Sequence, residues 1–287
     1  MLPRFIIWTL GVVSLLFVVL VITLHYVDFS IPDKRITTYF DRTPYPRKNL
    51  VFPFEDRQIH AVATGDTTKP IAIFVHGSPG SWDAFAELMS RPEVLTDVQT
   101  ISLDRPGFGK SGAGNPERSL IKQAASVALL LDEYKDKKTI LIGHSYGGPV
   151  VARMAIDFPD LVDGVILVAG SIDPNLEKTK WFQIPIHYKI LSWVVPKPLY
   201  SSNEEIMALK TELEDMMPLW ENITQPVSII QGGKDRLVPA GNAEFGKSML
   251  TNATVNMVEL PDMDHFVPWS HPNLIIDQIK WQLQTLQ

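Results

Sequence analysis

The chain has 287 residues, 45% apolar and 20% charged, and its 26 basic against 32 acidic residues leave a net charge of −6. A composition near the globular average excludes a disordered or fibrous protein, and an acidic balance lacks the basic footprint of a nucleic-acid binder. Cysteine is absent, which excludes disulfides, thiolate nucleophiles, Cys-based metal centres and cysteine lipidation.

In chain order, the first element is an uncharged run from Phe5 to Val27. Its core, Phe5–Leu24, is long enough as a helix for the ~30 Å of a bilayer's hydrocarbon. A signal peptide has a shorter apolar region of ~7–15 residues and a small-residue cleavage site; Leu24-His25-Tyr26-Val27-Asp28 offers none. Residues 1–27 therefore read as an uncleaved membrane anchor rather than a signal peptide or a core helix. Arg4 before the run and Lys34 and Arg35 after it nearly balance. The expected orientation, N terminus inside and the body on the extracytoplasmic side, rests on the habit of signal anchors. Residues 28–47, with Pro32, Pro44 and Pro46 among mixed charges, read as a tether.

Beyond it, Lys48–Phe54 and Gln58–Ala63 suggest an antiparallel hairpin at a sheet edge. Apolar, β-branched runs follow at Ile71–Val75, Val98–Leu103, Thr139–Ile142, Val165–Val168, Val227–Ile230 and Val255–Leu260. Most are continuous rather than alternating, as in parallel strands buried on both faces. Helical stretches lie between them near Asp83–Met89, Ser119–Tyr134, Gly147–Asp157, Asn242–Leu250 and Pro272–Gln284. Strand–helix alternation predicts a mostly parallel α/β sheet with helices on both faces. Residues 173–222 break the pattern with Trp181, Phe182, Tyr188, Trp193, Tyr200 and Trp220 among five prolines. They read as a helical cap inserted between two parts of a core, 48–172 and 223–287.

The sharpest motif is Gly143-His144-Ser145-Tyr146-Gly147-Gly148, between a predicted strand and a predicted helix. That context turns a moderately specific G-x-S-x-G into a nucleophile elbow: a tight turn needing small neighbours, with a helix N-terminus that favours developing negative charge. His76-Gly77-Ser78-Pro79-Gly80 follows another strand, where a loop amide can meet an oxyanion; the Tyr146 amide would be the second donor. Gly232-Gly233-Lys234-Asp235 and Asp264-His265 follow two later strands. A serine, an acid and a histidine thus each stand beyond the C-terminal end of a strand, where open α/β sheets build their sites.

With these residues in view, the chain from about Asn49 to Leu286 resembles the α/β-hydrolase fold family, in its serine hydrolase branch with a short helical cap. The motif Asp104-Arg105-Pro106-Gly107-Phe108-Gly109-Lys110-Ser111, Asp235 with Arg236-Leu237-Val238-Pro239, and His265 followed by Phe266 add to the likeness. The resemblance implies an eight-stranded sheet. It also implies a triad of Ser145 as nucleophile, His265 as base and Asp235 as its orienting acid, with Ser78 and Tyr146 supplying the oxyanion hole. Metal and cofactor are not needed for that chemistry. Relatives that dehalogenate alkyl halides or open epoxides carry an aspartate at the nucleophile, and Ser145 argues against both.

Rivals exist for each role. His25, His60, His76, His144, His187 and His271 compete with His265, and Asp173 competes with Asp235. Asp104 and Arg105 read as braces for a loop. Glu204, Glu205, Glu212 and Glu214 could bind an amine, as in proline iminopeptidase-like relatives, or form a solvated helix face. The leading expectation is a membrane-anchored serine hydrolase acting on carboxylic esters, lipid-like ones included because of the apolar cap and anchor. The alternative is an aminopeptidase or amidase using the same triad; a receptor that lost the chemistry is a third class. The expected partners are a small ester or amide and the membrane.

Overall fold

The computed structural model describes residues 3–27, 29–131 and 133–286. Asp28, in the expected tether, and Asp132, in the expected helix Ser119–Tyr134, lie outside the described residues, as do the side chains of Arg4, Ile7 and His25.

Eight strands form one sheet: β1 (Lys48–Phe54), β2 (Arg57–Thr64), β3 (Ile71–Val75), β4 (Gln99–Leu103), β5 (Thr139–His144), β6 (Gly164–Val168), β7 (Val227–Gly232) and β8 (Val255–Leu260). Their order is β1-β2-β4-β3-β5-β6-β7-β8. β1 and β2 pair antiparallel, β2 meets β4 antiparallel, and every later pair is parallel. The helices are α1 (Arg4–His25), α2 (Asp33–Phe40), α3 (Ala86–Met89), α4 (Pro92–Leu95), α5 (Leu120–Leu131) and α6 (Gly147–Asp157). After them come α7 (Gln183–His187), α8 (Lys197–Met216), α9 (Gly241–Met249), α10 (Val267–Ser270) and α11 (Pro272–Thr285).

The apolar runs are continuous because both sheet faces are covered. Ile71, Ile73 and Val75 of β3 point into one core, with α5, α6 and the end of α8; Ala72 and Phe74 point into the other, with α2, α3 and α11. β6 divides the same way, Val165 and Leu167 against Ile166 and Val168. Side chains alternate along a strand, so only a strand of unbroken apolar residues can serve two cores. β8, at the edge, is partly exposed along its length.

Between β6 and β7 the chain makes α7, the 20-residue α8 and a 3-10 turn at Met217–Asn222. Leu209, Leu213, Met216 and Trp220 are buried in the first core, so this insertion is bolted to the sheet. Within 28–47, α2 buries Ile36, Tyr39 and Phe40 in the second core, a docked segment where the prolines had suggested a free tether.

The expected single-pass anchor, and the extracytoplasmic placement that depended on it, are corrected. Among the described residues no helix is long and apolar enough to cross a membrane. The apolar segment does form α1, with many side chains exposed. α1 does not stand clear of the body: near its midpoint Phe17 meets Trp193 of the insertion edge-on, ring centroids 5.9 Å apart.

Candidate active site

The C-terminal ends of the parallel strands meet at one cavity of about 420 Å³. Ser145 reaches it from the turn after β5, Ser78 from the loop after β3, and His265 from the loop after β8. The turn is tight: Ser145 has φ 56°, a left-handed conformation that costs a non-glycine residue on the order of 1 kcal/mol or more. A Cβ at Gly143 would collide with the Gly147 carbonyl, and one at Gly147 with the Val75 carbonyl, which is why both positions are glycine. The Ser145 amide donates to Val168 O at 2.9 Å and its carbonyl accepts from Gly148 N at 2.9 Å, fixing the strained residue from both sides.

His265 and Asp235 stand together. His265 Nδ1 lies 2.7 Å from Asp235 Oδ2, and both residues are buried. Asp235 also accepts the amides of Leu237 and Val238, each at 2.8 Å. Burial pushes its carboxyl up, but the bonds from His265 and from these amides outweigh that and hold it below the usual carboxylate value. With Nδ1 on the carboxylate, Nε2 is the second imidazole nitrogen of a residue that lines the same cavity as Ser145. Asp173 is engaged elsewhere, accepting the amide of Asn175 at 2.9 Å.

The remaining histidines hold other posts. His144 Nε2 meets the backbone carbonyl of His265 at 3.0 Å; burial, then the nearby His265, pushes its pKa down to about 3, so it is a neutral donor that fixes the loop carrying His265. His76 is likewise held well below its ordinary value by burial and by Arg105. His60 pairs with Asp104 at 2.8 Å, while Asp104 also accepts the amides of Trp82 and Lys110. Asp104 thus braces loops. His187 lies 3.2 Å from Glu204, and His271 lies beside Ser270 at 2.9 Å.

The Ser78 and Tyr146 amides have no hydrogen-bond acceptor among the described residues; Tyr146 follows Ser145 in the chain, and Ser78 lines the same cavity as Ser145. Sequence reasoning missed the walls of the cavity. Phe29 and Ile31, from the segment between α1 and α2, line it together with Leu237, Phe266 and Trp269. Asp83 pins this strap by accepting the Ile31 amide and the Ser81 hydroxyl. The only signal for it in sequence is a pair of apolar residues among charges and prolines.

The glutamates of α8 are occupied. Glu205 forks onto Arg105 at 2.6 and 2.8 Å, Glu204 takes Arg118 and His187, and Glu212 takes the Leu120 amide at 2.7 Å. Among the described residues no group of His, Asp and Glu could hold a metal ion.

This arrangement of sheet, turn and loops has known counterparts. The profile of the alpha/beta hydrolase fold matches residues 70–192. The chain has the α/β-hydrolase fold. It is 25% identical over 245 residues to the 2-(acetamidomethylene)succinate hydrolase of Mesorhizobium japonicum, a match that covers 73% of this chain and 86% of that protein. It is 28% identical over 113 residues to epoxide hydrolase 4 of Mus musculus, covering 39% of this chain but only 31% of the mouse protein. Among solved structures, a serine hydrolase of Cycloclasticus zankles superposes with a TM-score of 0.65 at 15% identity, over 83% of this chain and 98% of that one; at that identity the likeness is one of fold.

Proposed function

We propose that the protein is a hydrolase that cleaves carboxylic esters through Ser145, His265 and Asp235. One observation carries the reading: a serine held at φ 56° and a histidine anchored 2.7 Å from a buried aspartate face the same cavity. In the first half-reaction Ser145 Oγ bonds to the acyl carbon while its proton passes to His265 Nε2. Asp235 orients the imidazole and stabilises the imidazolium. The amides of Ser78 and Tyr146 receive the oxyanion; each such donor contributes ~2.7–4 kcal/mol in comparable sites. The tetrahedral species expels the alcohol, which takes the proton from His265, and leaves an acyl-enzyme. Water, deprotonated by His265, repeats the sequence and releases the acid.

The apolar walls, Phe29, Ile31, Leu237, Phe266 and Trp269, support an ester with an apolar acyl group. The aminopeptidase alternative loses its support, because Glu204, Glu205 and Glu212 already hold partners within the chain. Epoxide opening, the activity named in the mouse relative, is disfavoured by Ser145, since relatives with that chemistry form their alkyl ester on an aspartate. A panel of p-nitrophenyl esters from acetyl to decanoyl, run beside aminoacyl amides and a styrene-type epoxide, tests the reading. Turnover of the longer esters with inert amides and epoxide is expected. Amide turnover matching that of the esters would overturn it.

A further inference from the structure

One guanidinium ties the two oxyanion donors to the cap. Arg105 is fully buried, as is Glu205 of α8. All five of its N–H groups are taken. Nε donates to His76 O at 2.9 Å, and one Nη2 hydrogen to Gly77 O at 2.9 Å. Nη1 donates to Gln123 at 2.6 Å and to Glu205 Oε2 at 2.6 Å, and the second Nη2 hydrogen goes to Glu205 Oε1 at 2.8 Å.

The Gly77 bond matters most. The carbonyl of Gly77 and the amide of Ser78 belong to one trans peptide plane and point in opposite directions. A cation gripping that carbonyl therefore sets the direction of the Ser78 N–H, and polarises it into a stronger donor. The grip is doubled: His76 Nδ1 also donates to Gly77 O at 2.7 Å, while its Nε2 accepts the Arg105 amide at 3.0 Å. The second donor answers to the same group, because the guanidinium stacks on the Tyr146 ring at 4.6 Å, with Phe108 at 4.8 Å. Two further bonds join α8 to these loops: Ser78 Oγ to Ser202 Oγ at 2.8 Å, and Ser201 Oγ to Gly107 O at 2.8 Å.

We infer that Arg105, held by Glu205 of the cap, is a positioning residue that sets both oxyanion-hole amides, so that the seating of α8 governs transition-state stabilisation. The inference rests on the ester-hydrolase reading above. Neither side chain touches substrate; both act through the peptide planes that do.

The test compares Glu205→Gln, Arg105→Lys and Arg105→Ala with the parent enzyme. A carboxamide offers the guanidinium one neutral acceptor in place of two charged ones, and an ammonium cannot fork. The readouts are kcat, KM, thermal midpoint and affinity for an alkyl trifluoromethyl ketone. In that inhibitor Ser145 Oγ adds to the carbonyl carbon, its proton moves to His265 and the oxyanion occupies the hole.

Misplacement of such a donor costs on the order of 10²-fold. The expected result is a kcat lowered ~10–100-fold with KM within about 3-fold, and an equal loss of ketone affinity. Millimolar methylguanidinium is expected to restore part of the kcat of Arg105→Ala. A lowered midpoint with kcat and ketone affinity unchanged in Glu205→Gln and Arg105→Lys would reduce the pair to a structural brace and overturn the inference. The two readings fail separately. A parent enzyme inert to every ester counts against the ester reading, whereas an active parent with indifferent variants counts against this one.

Discussion

Among the described residues are two buried His–Asp pairs of nearly equal length, His265–Asp235 at 2.7 Å and His60–Asp104 at 2.8 Å. In both, the carboxylate also accepts two backbone amides, from Leu237 and Val238 in one and from Trp82 and Lys110 in the other. The difference lies at the far nitrogen of the imidazole. His60 Nε2 is taken by Asn49 Oδ1 at 3.1 Å, which closes the ring into a network joining β1, β2 and the loop after β4. His265 instead borders the cavity that Ser145 lines. A His–Asp pair is therefore not a signature of catalysis; an imidazole face left open toward a nucleophile is.

The comparison can be broken most directly at the acids. Asp235→Asn is expected to lower kcat ~10⁴-fold by presenting the wrong tautomer, with little change in the thermal midpoint. Asp104→Asn is expected to do the reverse, keeping kcat within about 3-fold while destabilising the fold by ~1–3 kcal/mol through its mismatched donors. Ester kinetics and thermal melts on the two variants check both halves. Equal kinetic losses would erase the distinction.

Acid sharpens it from another side. Burial holds His144 near pKa 3 and His76 well below its ordinary value, so the unfolded chain takes up these protons first, near pH 6.5. The stability from keeping both rings neutral is complete above about pH 6.5 and drains as the pH falls, by up to ~1.4 kcal/mol per pH unit and per histidine. Asp235, with a lowered carboxyl, adds its share only below about pH 4. Urea unfolding between pH 7.5 and 4.5 measures the slope; a flat profile over pH 6.5–4.5 would contradict the neutral, buried assignment of both rings.

The smallest effect belongs to the strap. Phe29→Ala or Ile31→Ala removes apolar wall from the cavity without touching either pair. Lost contacts of this kind are worth ~1–3 kcal/mol, so kcat/KM for octanoyl esters is expected to fall ~10-fold or more while acetyl esters stay near the parent value. An unchanged chain-length profile would remove Phe29 and Ile31 from the substrate's path.

The sheet was legible because its residues carry local physics. Continuous apolar runs such as Ile71–Val75 fit only a strand covered on both faces, and Gly143 with Gly147 around Ser145 fit only a turn too tight for a Cβ. The histidine and the acid were legible as residues that follow strand ends. What sequence could not carry were long-range partnerships. The bond between Arg105 and Glu205 spans a hundred positions, and nothing local to either residue announces it; the α8 glutamates looked like a solvated face. Phe29 and Ile31 lie in a stretch whose prolines and charges suggested a loose tether. The apolar segment before them read as a membrane span from its composition alone, whereas the described residues contain no helix long and apolar enough to cross a bilayer.

The central claim is that Ser145 is an activated nucleophile. Labelling with a fluorescent fluorophosphonate, followed by peptide mass spectrometry, tests it on the parent enzyme and on folded Ser145→Ala. The account predicts one phosphonylated residue, Ser145, in the parent and no labelling of the variant. Labelling at another residue, or a folded parent that does not react, would contradict it.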